Sequence, residues 1–262
     1  MKSENSPKRE MTKLTRRGLI WGLAYISGIF GIFRFLDKSP NAKGITQPFR
    51  KAQGLNEKLW EKLFSPSRRV PEYSKDRVTP ERFNETIGME EDLDPDSWKL
   101  LVEGVHGASK PVIELTMKDI LAMPVTEMTT EFFCIEGWSV IQTWKGVLMR
   151  DFMNRYPPDT LSGKKPDLVN AAQDLVPYVA MTTPNENYFV GLDMGSVIHA
   201  QTMLCYEMNG QPLTEEHGAP LRLVIPVKYG VKNIKRLGKI QYRKDRPADY
   251  WAQQGYDWYA GL

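Results

Sequence analysis

Residues 132–139 read Phe132-Phe133-Cys134-Ile135-Glu136-Gly137-Trp138-Ser139, and Trp144-Lys145-Gly146 follows shortly after. An apolar strand predicted over 129–135 runs here into a polar turn and carries a thiol at its end. A thiol in that position has two readings. Free cysteine is among the most buried residue types, so Cys134 can be core filler. A thiolate is also the soft ligand that a redox metal takes. The chain has one other cysteine, Cys205. It falls inside a strand predicted over 202–208 and reads as a buried thiol; a bridge between the two would exclude the ligand reading. Two cysteines cannot build a disulfide framework.

Outward from this stretch, the inventory of chemical groups is short. The histidines are His106, His199 and His217, and no CxxC, HExxH or paired Cys/His cluster is present, which excludes zinc fingers and zincins. No GxGxxG, GxxxxGK[ST] or GxSxG occurs either, against a standard dinucleotide, P-loop or hydrolase-elbow site. Alternating apolar runs predict strands over 98–104, 110–116, 176–182, 187–192, 221–227 and 234–242, with Asn209-Gly210 as a tight turn after 202–208. Short helices are predicted over 117–123, stopped by Pro124, and over 147–155, before Pro157-Pro158. Short strands mixed with short helices give an α+β class with mixed β-sheets. The aromatic tail Trp251, Tyr256, Trp258 and Tyr259 is expected to pack back onto the domain.

Charge is placed unevenly along the 262 residues. Residues 1–36 hold seven Lys or Arg against Glu4 and Glu10, so +5 of the formal net +3 lies there; the remaining 28 basic and 30 acidic residues leave the body at −2. A polyanion binder would be basic throughout, so nucleic acid is not the expected partner. Residues 18–33 carry no charge and follow Lys13, Arg16 and Arg17. A basic segment followed by an apolar one has the layout of an export signal, and Thr15-Arg16-Arg17-Gly18-Leu19-Ile20 resembles a twin-arginine signal. The eighteen residues from 19 to 36 rise about 27 Å as a helix, enough for a membrane anchor as well. The chain then divides into 1–36, signal or anchor; 37–80, a Pro-punctuated linker with one amphipathic helix near 55–64; and 81–262, the functional domain. Within the last, residues 222–246 hold nine basic residues and a single acid, Asp245.

Two long motifs in order carry a resemblance. Cys134-Ile135-Glu136-Gly137-Trp138-Ser139 with Trp144-Lys145-Gly146 is similar to the Cys-x-Glu-x-Trp-Ser…Trp-x-Gly pattern of periplasmic protein-methionine-sulfoxide reductase catalytic subunits, within the sulfite-oxidase family of molybdopterin proteins. The second block is Tyr206-Glu207-Met208-Asn209-Gly210, His217-Gly218-Ala219-Pro220-Leu221-Arg222, Lys228-Tyr229-Gly230 and Lys232-Asn233-Ile234-Lys235. The resemblance spans about residues 80–245 and implies a sulfite-oxidase-type molybdopterin-binding fold. It implies one molybdenum held by a pyranopterin dithiolene and by Cys134, the catalytic and metal-ligating residue. Arg222 and Lys235 fall at positions that meet the anionic cofactor, joined by Asn233 and Ile234. Gly218 and Gly230 permit close backbone approach. His217 stands where the pattern has Asn. Phe83-Asn84-Glu85 resembles a Phe-Tyr-Glu pterin-contact segment, and Thr183 matches a cofactor-contact Thr.

The expected activity is reduction of S-oxides, methionine sulfoxide in proteins above all. Sulfite oxidases tend to show Gly-Asn-Arg after the cysteine, and Glu136-Gly137-Trp138 offers no such cation. The alternatives are a sulfite-oxidising member of the same family and a membrane-anchored binding module that has lost catalysis. The chain has no CxxCH haem site, so the resemblance implies an electron-donor partner, a membrane haem-containing quinol-oxidising subunit. The expected location is the periplasm or the outer face of the cytoplasmic membrane.

Overall fold

Without a proline between Pro7 and Pro40, the apolar N-terminal run has nothing to interrupt a helix. In the computed structural model, which describes residues 7–42, 45–83, 87–94 and 97–262, it forms α1 (Pro7–Lys38). Gly18–Lys38 is long and apolar enough to cross a membrane: 21 residues rise about 32 Å, against a hydrocarbon core of about 30 Å. The two-residue strands β1 (Asn41–Ala42) and β2 (Ile45–Thr46) pair antiparallel, and α2 (Gln47–Leu63) follows. Contacts divide the chain into two units, Met1–Gln53 and Gly54–Leu262, and the second holds all elements beyond α2. The predicted amphipathic helix is thus present and longer than its pattern near 55–64 indicated. Beyond it, Tyr73 and Thr79 donate backbone N–H bonds to Thr129 and Ile141, so 73–79 runs along the functional domain's sheet.

That domain is built on two five-stranded sheets. The first has the order β4–β3–β12–β7–β8, from β3 (Leu100–Glu103), β4 (Val112–Leu115), β7 (Tyr178–Thr182), β8 (Phe189–Asp193) and β12 (Lys239–Arg243). It is mixed: β12 runs parallel to β3 and antiparallel to β7. The second comprises β5 (Thr126–Phe133), β6 (Ser139–Leu148), β9 (Met203–Met208) and β10 (Gln211–Pro212), with β11 (Arg222–Val224) also pairing β9. Short helices α3 (Met117–Leu121), α4 (Met149–Arg155), α5 (Met194–Val197) and α6 (Tyr250–Gln253) fill the connections. A capping box closes the start of α3, where Thr116 and Asp119 exchange side-chain and backbone bonds. Leu100, Val102, Val147, Phe152, Val179, Leu221 and Ile240 lie in one continuous buried core.

The α+β class and most strands agree with the sequence reading; β6 does not. Its residues Val140–Trp144 are buried on both faces, so no alternation marks the strand, and Val147-Leu148 end it rather than opening the helix. At Gly146 the register with β9 shifts. A Cβ there would sit 1.9 Å from the Leu204 carbonyl oxygen, so two backbones meet where no side chain fits. Gly146→Ala is expected to cost about 2–3 kcal/mol of stability through strand displacement, read as a lower denaturant midpoint.

The basic run 222–246 is not one surface. Lys228 and Lys232 are 2% and 1% exposed. Lys228 Nζ lies 3.0 Å from Asp193 Oδ1 and over the Tyr259 ring; Lys232 Nζ donates to Asp249 Oδ2 at 2.5 Å and to the Gly191 carbonyl at 2.9 Å. Arg236 donates to the carbonyls of Met89 and Glu91, while Lys239, Arg243 and Arg246 pair with Glu186, Asp245 and Glu57. Burial pulls the Lys228 ammonium down to about 8, whereas the unfolded chain keeps a lysine near the ordinary value of about 10.4. Between these values the unfolded state binds more protons, so the contribution of Lys228 to stability rises as pH goes from about 8 towards 10 and is flat below, while the raised Cys205 thiol works the other way in the same window. Lys228→Met should remove that contribution, so the difference in denaturant midpoint between parent and variant should change in the parent's favour from about pH 8 to about 10.

Candidate active site

Cys134 ends the β5–β6 hairpin. Its N–H donates to the Trp138 carbonyl at 2.9 Å, and Gly137, at φ +86°, donates back to the Cys134 carbonyl at 3.1 Å. This five-residue turn requires the glycine, because a left-handed backbone is strained for other residues. Trp138 Nε1 donates to Glu136 Oε2 at 2.7 Å, and the same oxygen lies 3.7 Å from Cys134 Sγ. Trp138 stacks on Phe132 at 6.1 Å, and the Arg82 guanidinium lies 4.9 Å from the Trp138 ring centroid. No disulfide joins Cys134 and Cys205; Cys205 is fully buried in β9, and burial pushes its thiol well above the usual range. The bridge that would have excluded a ligand role is therefore absent.

Cys134 lines a cleft of about 840 Å³, open mouth included, together with Arg222, Asn233, Lys235, Glu136 and Gly230. The turn Gly230–Lys232 packs directly on the end of β5: a Cβ on Gly230 would sit 2.5 Å from Phe132 Cζ. Gly218, at φ +96°, leaves 2.7 Å between a would-be Cβ and Lys235 Cβ. The close approaches at both glycines are to the chain's own residues, Phe132 and Lys235. The thiol's own turn, the start of β11 and the 230–235 loop thus line one cleft.

Arg222 faces both this cleft and a smaller hollow of about 370 Å³ beside it, lined by Glu81, Trp144 and His217 among others. It is 3% exposed on β11, opposite Cys205. Nη1 donates to the His217 carbonyl at 3.0 Å and Nη2 to that of Asn233 at 3.4 Å, bracing the two loops. Nε has no hydrogen-bond partner and no carboxylate pairs with the group among the described residues. Burial pulls its pKa down to about 10. His217 Nε2 lies 3.2 Å from Glu81 Oε2; burial, then Arg222, holds its pKa below the ordinary value despite that carboxylate, so the ring is neutral at pH 7.

The other expected contacts fall as follows. Asn233 anchors the loop, its Oδ1 accepting from Ile225 N at 2.8 Å and its N–H donating to Gly230 at 2.9 Å. Ile234 is fully buried, its carbonyl accepting from Leu223 N. Thr183 is not in the cleft lining; its hydroxyl holds the 183–188 turn through Asn185 Oδ1 and Tyr188, and Tyr188 does reach the cleft. Asn84 and Glu85 lie outside the described residues. The outer wall is aromatic and apolar: Tyr188, Trp251, Tyr256, Ile87 and Ile135. Trp251 and Tyr256 meet edge to face at 5.2 Å. Nothing in the local sequence marks them as site residues. They arrive because Asp249, which receives the buried Lys232, also caps α6 by accepting from Ala252 N at 3.0 Å. One carboxylate ties the cleft loop to the tail.

The family model "Oxidoreductase molybdopterin binding domain" matches residues 87–251. Among curated relatives, a protein provisionally assigned as protein-methionine-sulfoxide reductase subunit YedZ1 of Azospira oryzae is 31% identical over 76% of this chain and 70% of its own. The protein-methionine-sulfoxide reductase catalytic subunit MsrP of Campylobacter jejuni is 31% identical over 67% of this chain, and that of Xanthomonas campestris 30% over 69%. The match spans only 60% and 53% of those two catalytic subunits. The sulfane dehydrogenase SoxCD of Paracoccus pantotrophus aligns over 60% of this chain and 40% of its own, with TM-score 0.49 and 18% identity. A molybdopterin ends in an anionic phosphate and needs donors and positive charge. A buried guanidinium with an unused N–H and no described carboxylate, two adjoining hollows and a thiol at the edge of one of them fit such a group. With a family match over more than half its length, the chain belongs to the molybdopterin-binding oxidoreductases.

Proposed function

We propose that the chain is an extracytoplasmic molybdenum-dependent reductase of S-oxides, with methionine sulfoxide in proteins as the leading substrate. The observation that carries the choice is the electrostatics of the cleft wall. Next to Cys134 stands the Glu136 carboxylate, 3.7 Å from the sulfur, and the outer wall is aromatic. Among the described residues the cleft's two cations, Arg222 and Lys235, are those assigned to the cofactor. An anionic substrate such as sulfite would meet a like charge beside the thiol, whereas an uncharged S-oxide meets a surface suited to its hydrocarbon flanks.

In this reading Cys134 is the metal's protein ligand, Arg222 and Lys235 hold the anionic end of the cofactor, and Asn233 keeps their loop in place. The neutral His217 donates from Nε2 to Glu81 and keeps one ring nitrogen, the Nδ1 acceptor, free of that bond. Asn84, Glu85, Thr183 and Ile234 are assigned as contacts by family resemblance. The cofactor, when bound, supplies two-electron oxygen-atom transfer. Reduction of a sulfoxide to its thioether and water consumes two electrons and two protons. The chain holds no haem motif, so the electrons are assigned to a membrane haem-containing quinol-oxidising partner; the catalytic-subunit names of the relatives support a partner subunit. The Arg16-Arg17 leader supports export, and N-terminal sequencing of exported protein will tell a cleaved signal from an anchor.

Dye-coupled assays of molybdenum-loaded protein decide the direction. Methionine sulfoxide should be reduced; robust sulfite oxidation without sulfoxide reduction would overturn the reading. Trp251→Ala and Tyr256→Ala should each raise KM for methyl p-tolyl sulfoxide about tenfold, the equivalent of about 1.4 kcal/mol, with kcat within about twofold.

A further inference from the structure

Helix α2 uses two faces. Toward the functional domain, Asn56 donates to Asp257 Oδ2 at 3.0 Å, Glu57 pairs with Arg246, and the Trp60 Cβ closes on Gly261. Elsewhere Leu55, Leu59 and Leu63 are 69%, 53% and 56% exposed. Spaced by four, they form a stripe about 80° wide, at 100° per residue. Exposed leucines scattered singly need no explanation, but three in a row do. Lys51, Lys58 and Lys62 are all exposed and line one flank of the stripe within about 60° of it, while Glu57 and Glu61 lie on the far side.

A leucine stripe bordered by lysines, with acids turned away, matches the chemistry of an anionic lipid surface: apolar side chains enter the acyl boundary and ammonium groups reach the headgroups. Position in the chain favours the same occupant. Residues 39–46 alone separate α2 from Lys38, the end of the membrane-length helix, and eight residues reach at most about 28 Å. We propose that α2 is an interfacial helix that lies on an anionic membrane surface, with Leu55, Leu59 and Leu63 in the lipid and Lys51, Lys58 and Lys62 at headgroup level. It would hold the catalytic unit where a membrane-bound electron donor operates.

The test uses the full chain in bilayer nanodiscs of phosphatidylcholine with and without phosphatidylglycerol. An environment-sensitive fluorophore is placed at Leu59→Cys or at Glu61→Cys, with the unsubstituted chain as blank. With phosphatidylglycerol, a lipid-borne nitroxide should quench the Leu59→Cys label at least about fivefold more than the Glu61→Cys label. Adding Lys51→Glu, Lys58→Glu and Lys62→Glu together should remove most of that difference. All these positions are exposed, so folding is not at stake. A Leu59→Cys label as wet as the Glu61→Cys label overturns the proposal, as does one that dries only when another membrane protein is added. The readout needs no turnover, so it stands or fails apart from the sulfoxide reading.

Discussion

Cys134→Ser protein from a molybdopterin-competent host is expected to fold as the parent does and to lose its metal. The parent should carry about one molybdenum per chain and the variant below about a tenth of that. A serine hydroxyl is harder and far less acidic than a thiol, so it is a poor ligand for a metal that takes sulfur. The fold should survive, because the turn is held by backbone bonds among Cys134, Gly137 and Trp138 and the side chain is small. Metal analysis beside a denaturant curve checks both halves. A variant that keeps its molybdenum would remove Cys134 from the ligand set; a parent that folds, is exported and binds none would remove the enzyme reading.

Arg222→Met should separate the stability of the empty protein from its affinity for the cofactor. In the protein alone the guanidinium is buried against its own solvation, which is why its pKa falls to about 10. An apolar side chain of similar length relieves that cost, offset by the loss of two bonds to loop carbonyls. The unfolding midpoint of the cofactor-free variant should therefore stay within about 1 kcal/mol of the parent's. Cofactor binding should weaken by about 2–5 kcal/mol, since a desolvated anion would lose its buried cation. Fluorescence of released, oxidised pterin after gel filtration measures retention. If both properties dropped together, Arg222 would be a brace for the 217 and 233 loops and nothing more.

Legibility followed the physics of each signal. The strand read over 129–135, observed as β5 (Thr126–Phe133), was legible because one stretch carries β-branched and aromatic residues up to a turn signal. Ser139–Leu148 was not, because burial on both faces erases the period of two that marks a half-exposed strand. The cleft residues Cys134, Arg222 and Lys235 were singled out through the resemblance of two motifs to a known family, not through spacing alone. Trp251 and Tyr256 were not: their place in the cleft depends on a buried ion pair, Lys232 with Asp249, and a pairing of charges across 17 positions leaves no local trace.

By itself the sequence determined the α+β class, the two motifs, the charge of the N-terminal segment and the thiol. Those properties rest on local propensity and short-range pattern, which a linear string preserves. Only the tertiary structure decided how the basic run is divided. Lys228 and Lys232 went inward to Asp193 and Asp249, Arg236 to backbone carbonyls, and Arg222 to the hollow between two loops. Nine charges that look alike in sequence differ in what each one faces, and desolvation makes that difference the one that matters.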